Sequence, residues 1–176
     1  MSRELEDLNP GFKEKIDLLL KRCFDDGIIM RPFFTLRDVY DQAKLWRQSR
    51  CWEEISKKID FLISEEAYFI VDVLKSVGPT NGRWATNALP GQSIHQYGYA
   101  VDCYNLVEGD NSRYVANWDG NSNAYKIYAH HAKDLGLNAG YFWSKKDSVH
   151  VECSDFYIPE NWKVIDEMMK NKYGRD

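Results

Sequence analysis

The sequence predicts an α+β fold with a small sheet, on three observations. Segments with apolar residues at three- and four-residue steps, opened by capping residues, recur along the chain. Only three short β-prone runs stand among them: "IIMRPFF" (28–34), "YAVDCYNLV" (99–107) and "SVHVEC" (148–153). The 176 residues contain no repeat, linker or low-complexity tract. One domain, long enough to bury its own core, is therefore expected.

Each element has a local reason. In "LNPGFKEKIDLLLKRCFDDG", Asn9 can cap a helix, Pro10 suits its first position and Gly27 follows its end. Phe12, Ile16, Leu19 and Cys23 then share one apolar face. "IIMRPFF" reads as a short strand. Asp38 is expected to cap a second helix, "VYDQAKLWRQSR", and Ser64 a third, "EEAYFIVDVLKSV", closed by Gly78. The stretch 78–93 is turn-rich. "YAVDCYNLV" alternates as a strand, and the polar loop "EGDNSRYVANWDGNSN" leads to a helix from about Ala124 to Leu135. "SVHVEC" alternates again, and Pro159 is expected to start a final helix.

Composition narrows the function. An apolar share of 44% and a net charge of -4 describe a folded, mildly acidic protein. Nucleic acid is not an expected partner, because phosphate binding needs clustered Lys and Arg. With no run of about 18 apolar residues, membrane insertion is not expected either. The polar, acidic start "MSRELEDLNP" lacks a signal-peptide core, so synthesis in a cytoplasm is expected. Cys23, Cys51, Cys103 and Cys153 stand far apart and read as reduced, small hydrophobic residues rather than a disulfide or zinc set.

The histidines carry the chemical question. His130 and His131 are adjacent in a predicted helix, about 100° apart, and cannot easily grip one ion. His95 lies in a glycine-flanked turn, seven residues before Asp102, which enters a predicted strand. His150 lies between Val149 and Val151, so its ring faces away from their apolar side. If the two strands are neighbours, His95, Asp102 and His150 converge as two imidazoles and one carboxylate, a set that suits tetrahedral zinc with one position left for water. Spacing alone leaves a second reading standing: a polar turn followed by a half-buried strand histidine.

The surrounding motifs favour the metal. "TNALPGQSIHQYGYAVD" (86–102) resembles the S-x-H-x-x-G-x-A-x-D signature of the LAS zinc peptidases, and its T-N-A-x-P-G-x-S-x-H form is similar to the D-Ala-D-Ala carboxypeptidase/L-alanyl-D-glutamate endopeptidase branch. "GLNAGYFWSKKDSVHVE" (136–152) resembles the branch's second motif, a G-L stretch, a Trp and D-x-x-H. "LRDVYDQAKLWRQSR" (36–50) resembles its R-x-x-x-x-Q-x-x-L segment. The resemblance implies a LAS/hedgehog-type fold, a small antiparallel sheet carrying one zinc ion and packed by helices. It makes His95, Asp102 and His150 the ligands, Asp147 the general base, and Arg37 and Gln42 substrate-side residues.

The chemistry of those residue types agrees. A carboxylate beside the metal can take a proton from attacking water and return it to the leaving amine, especially if partial burial raises its pKa. The planar fork of Arg37 can hold a substrate carboxylate or a developing oxyanion. Apart from the resemblance, Arg37 reads equally as a surface partner of Asp38 or Asp41, and Gln42 as a surface glutamine. Ser93 can orient His95, hold the turn or touch substrate, but has no adjacent base to make it a nucleophile. Trp143 and Tyr97 can wall a cleft or pack in the core, and Glu152, on the strand face of His150, can hydrogen-bond a ligand, bind substrate amines or lie at the surface. Asp119, Asn121 and Asn123 alternate like the start of a calcium loop. Its sixth-position glycine and twelfth-position acid, here His130, are missing, so calcium is not expected.

The expected activity is hydrolysis of the peptidoglycan stem peptide by a zinc metallopeptidase, first at the L-Ala–D-Glu bond. Terminal D-Ala trimming is the alternative within the class, and a non-catalytic zinc-bearing binding module the alternative outside it. The resemblance to phage endolysins implies a monomer made in the cytoplasm that reaches the wall after holin-type permeabilisation. No wall-binding module is expected beyond the terminal helix, which suits a thin wall.

Overall fold

In chain order, a computed structural model describing residues 1–174 contains α1 (Pro10–Asp25), β1 (Ile29–Phe34), α2 (Val39–Arg47), α3 (Trp52–Ser64), α4 (Tyr68–Ser76), β2 (Ala100–Glu108), β3 (Tyr114–Asn117), α5 (Asn123–Asp134), β4 (Leu137–Ala139), β5 (His150–Cys153) and α6 (Trp162–Tyr173). They divide into two compact units, Met1–Leu36 with Tyr97–Phe156, and Arg37–Gln96 with the segment from Tyr157 onward.

The first unit holds the sheet, ordered β1-β2-β5-β4, with β3 also pairing β2. All of its pairings are antiparallel. Asn105 and Leu106 pair with both β1 and β3, so β3 lies on the same side of β2 as β5, further along its length. Strand alternation then divides the side chains. Val101, Cys103 and Val151 join Phe12, Ile16, Leu19 and Cys23 of α1 and Tyr125 and Tyr128 of α5 in one core. Asp102, His150 and Glu152 take the opposite face. The α1 helix starts as its sequence requires, with the Asn9 side chain accepting from the Gly11 amide at 3.2 Å.

The second unit is helical, with α4 packed against α2, α3 and α6. Asp38 caps α2, accepting from the Asp41 amide at 2.7 Å. Three expectations need correction here. Ser64 ends α3 instead of opening a helix; Ile55, Ile59 and Leu62 form the buried stripe of α3. The chain then reverses at Glu66, whose φ is 59°, before α4 begins at Tyr68. The second helix stops at Arg47, and the last begins at Trp162 under an Asn161 cap rather than at Pro159. In the first unit, β3 is a strand inside the segment read as a polar loop, and β4 lies where no element was expected. Among the described residues no helix is long and apolar enough to cross a membrane.

Candidate metal centre

Antiparallel register sets the heart of the site: Asp102 of β2 stands directly opposite His150 of β5. Cross-strand partners share a face, and this face lies away from the core formed with α1 and α5. The His150 Nδ1 lies 2.9 Å from Asp102 Oδ1, and Nε2 lies 3.0 Å from Glu152 Oε2. Two residues along the strand, Glu152 meets the far side of the ring, as period-two alternation allows. Burial works against a charge on His150, but the hydrogen bonds and negative charges of Asp102 and Glu152 outweigh it and push its pKa up to about 9. Protonated, the ring donates from both nitrogens to the two carboxylates; a zinc ion bound between His150 and Asp102 would take the place of the Nδ1 proton and leave Nε2–H with Glu152.

His95 sits on the 3-10 turn Ile94–Tyr97 and is 4% exposed. His95, Asp102 and His150 each offer one ligand atom, and the three atoms lie within 4.8 Å of one another. The donors fit zinc on two counts. Two imidazoles and a carboxylate are its preferred open set, and tetrahedral bonds near 2.0–2.1 Å put ligand atoms about 3.3 Å apart, close to the 2.9 Å pair seen here. Glu152 adds the outer hydrogen bond that orients a ligating histidine.

Around the pair, Trp143 sets its ring 5.2 Å from that of His150. Asp147 is tied through its backbone: its amide donates to Gly140 O at 2.9 Å and its carbonyl accepts from the His150 amide at 3.2 Å. A Cβ on Gly140 would come within 2.4 Å of that carbonyl, so glycine there lets the turn close. Asp147 itself is exposed.

The helical unit organises the Arg37 segment. Arg37 Nη1 donates to Gln42 Oε1 at 3.0 Å, and Gln42 Nε2 donates to Ala88 O at 2.7 Å. Gln42 is fully buried, not the surface glutamine its helical position suggests; both ends of its amide serve the protein, and its contact with Arg37 is one of support. The Arg37 amide donates to His95 O at 3.2 Å, and the Tyr173 hydroxyl donates to Arg37 O at 3.2 Å and Gln96 O at 2.5 Å. Ser93 is 8% exposed and its backbone holds the turn, its carbonyl accepting from the Gln96 amide. Glu152, sharing a strand face with His150, was open from sequence to bonding a ligand, and it does; Tyr173 as a clamp was not singled out. Strand alternation was the signal for the first; for the second there was none.

The remaining candidates have local roles. His131 Nε2 lies 2.8 Å from Asp26 Oδ2, and His130 meets the edge of Phe142 at 5.3 Å. Asp119 Oδ1 accepts from the Asn121 amide, and Asn121 Oδ1 from Lys146, so these oxygens serve turns and a lysine. All four cysteines are free, but Cys51 is exposed, at the start of α3.

The family model of VanY, D-alanyl-D-alanine carboxypeptidase, matches residues 5–159. No curated protein matches the sequence. Three solved structures are similar, each at 16% identity. The Serratia marcescens L-Ala D-Glu endopeptidase ChiX has a TM-score of 0.44, with 85% of this chain and 83% of that one covered. The LdcB LD-carboxypeptidase has 0.47, with 94% and 68%. A vancomycin-resistance D,D-pentapeptidase VanY from a VanB-type cassette, solved with Zn(II), has 0.46, with 94% and 83%. Because the family match runs from the N-terminal turn past β5, the chain belongs to the VanY D-alanyl-D-alanine carboxypeptidase family, LAS-type zinc peptidases that act on peptidoglycan.

Proposed function

We propose that His95, Asp102 and His150 hold one zinc ion and that the enzyme cuts the stem peptide at the L-Ala–D-Glu bond. The observation that carries the metal assignment is the Asp102–His150 pair, backed by Glu152 and joined by His95 within ligand distance. A zinc bound there would supply Lewis acidity and bring the pKa of its water towards neutrality. Asp147, three residues before His150, accepts the proton of the attacking water and passes it to the leaving amine. Arg37, oriented by buried Gln42, offers its fork to a substrate carboxylate or to the oxyanion. Trp143 beside His150 gives the peptide a flat wall. We place the activity in an endolysin-type lysis role, with release to the wall through a permeabilised membrane, on the motif resemblance alone.

A second reading is favoured by the description of the matching family: removal of terminal D-Ala, with Arg37 binding the free C-terminal carboxylate. Mass spectrometry of purified muropeptides after digestion separates the two. New N-terminal D-Glu is expected; loss of a single Ala would establish the carboxypeptidase instead.

A further inference from the structure

Arg47 and Arg50, unused in the chemistry above, line one cavity of about 510 Å³ within the helical unit. The wall also includes Ser49, Trp52, Thr80 and Asn81, and no acidic side chain lines it. Arg47 is only 7% exposed. Its Nη1 donates to Val77 O and, at 3.1 Å, to Leu74 O, closing the end of α4, but its Nε is buried with no hydrogen-bond partner. Arg50 is held as a fixed charge. It stacks between Trp46 and Trp84, 4.3 and 3.7 Å from the ring centroids, and donates to Trp46 O and Thr86 O. Glu54, whose charge reaches Arg50, accepts from the Cys51 amide.

A helix clamp explains the Nη1 bonds of Arg47; it leaves a buried N–H unsatisfied, which native interiors rarely tolerate. Among the described residues neither guanidinium forms a salt bridge, and two cations lining one cavity in a chain of net charge -4 are complementary to an anion. Their planar forks match a carboxylate, and the hydroxyl and amide side chains of the rim suit peptide groups. The volume is far larger than a lone ion needs and falls within the range of small-ligand sites. Trp52 and Ile55 supply apolar wall.

We infer that this cavity is an accessory subsite for a free carboxylate of a short acidic peptide. Assigning that peptide to the wall stem rests on the function proposed above. The test is calorimetric titration of the zinc-loaded full chain with the acidic dipeptide γ-D-Glu-L-Lys, which has no L-Ala–D-Glu bond to cut, and with the α-amide of its Glu. Saturable binding of the acid is expected, weakened at least tenfold by amidation, by Arg47→Lys and by Asn81→Asp, and retained in His150→Ala. The Asn81 change puts a negative charge on an exposed residue whose side chain makes no hydrogen bond, so it leaves the fold intact even if Arg47→Lys does not. Equal binding by Asn81→Asp, or its loss in His150→Ala, would overturn the subsite. Inorganic phosphate competing as tightly as the dipeptide would overturn the peptide assignment. Failure to cleave muropeptides would remove the stem-peptide reading and leave dipeptide binding here untouched; cleavage with no such binding would remove only the subsite.

Discussion

Asp147 is the residue whose chemistry is most exposed to test. It lies three residues from His150, outside the ligand set, and its backbone is braced against Gly140. Replacing it with Asn keeps the shape and removes the proton acceptor, so muropeptide turnover should fall by about 10²–10⁴-fold with zinc content unchanged. Full turnover by that variant would refute the assignment. Glu152 acts differently, through the His150 ring, and Glu152→Gln should weaken zinc binding by about 10–100-fold in competition with a chromophoric chelator. The Asp102–His150 pairing was legible only on condition that the two strands were neighbours, which the motif resemblance favoured and spacing alone left open. Gln42 was not: its burial depends on Ala88, remote in sequence, and helical position alone reads as surface. Arg47 and Arg50 likewise look like solvated charges until α4 and the 78–86 loop close over them.

At the scale of elements, strong caps and long periodic runs were readable, and tertiary substitutes for them were not. Asn9 and Asp38 open α1 and α2 as expected. α3 had no element assigned to it, and the start of α4 was misplaced because "SEE" at 64–66 mimics a capped, acid-rich first turn, while α4 begins at Tyr68 behind Ala67, which has no capping atom. Its cap comes from α6 instead: Asp166 accepts from the Phe69 amide at 3.2 Å and the Ile70 amide at 2.7 Å. Asp166→Ala should therefore cost about 1–2 kcal/mol in urea unfolding. Burial raises the Asp166 carboxyl pKa above its ordinary value, against the lowering effect of the two amides. The folded chain thus holds this proton more tightly than the unfolded chain. Stability from this group is present below the unfolded carboxylate pKa and declines as pH rises through the raised one. Asp166→Asn should flatten that decline in unfolding curves measured at stepped pH; an unchanged slope would assign it to other groups.

For the whole molecule, an α+β chain with a small sheet was readable from counting β-prone runs. Strands as short as β4, three residues long, have too little pattern to register, and neither does the division into a sheet unit and a helical unit. Both follow from contacts between distant segments. The proposed ligands share that property, since His95 and His150 are widely separated in the chain and come within ligand distance only when it is folded. Zinc should then bind the native state and leave the unfolded chain nearly untouched, so its binding energy becomes folding energy. At a free zinc concentration a thousandfold above Kd, the native state gains about 4 kcal/mol. For a chain of 176 residues that corresponds to a rise in Tm of roughly 10 °C, reversed by chelator. His150→Ala should abolish the rise, because it removes a ligand and frees Asp102 and Glu152 from their shared partner. A zinc-dependent rise of equal size in that variant would place the ion elsewhere in the molecule.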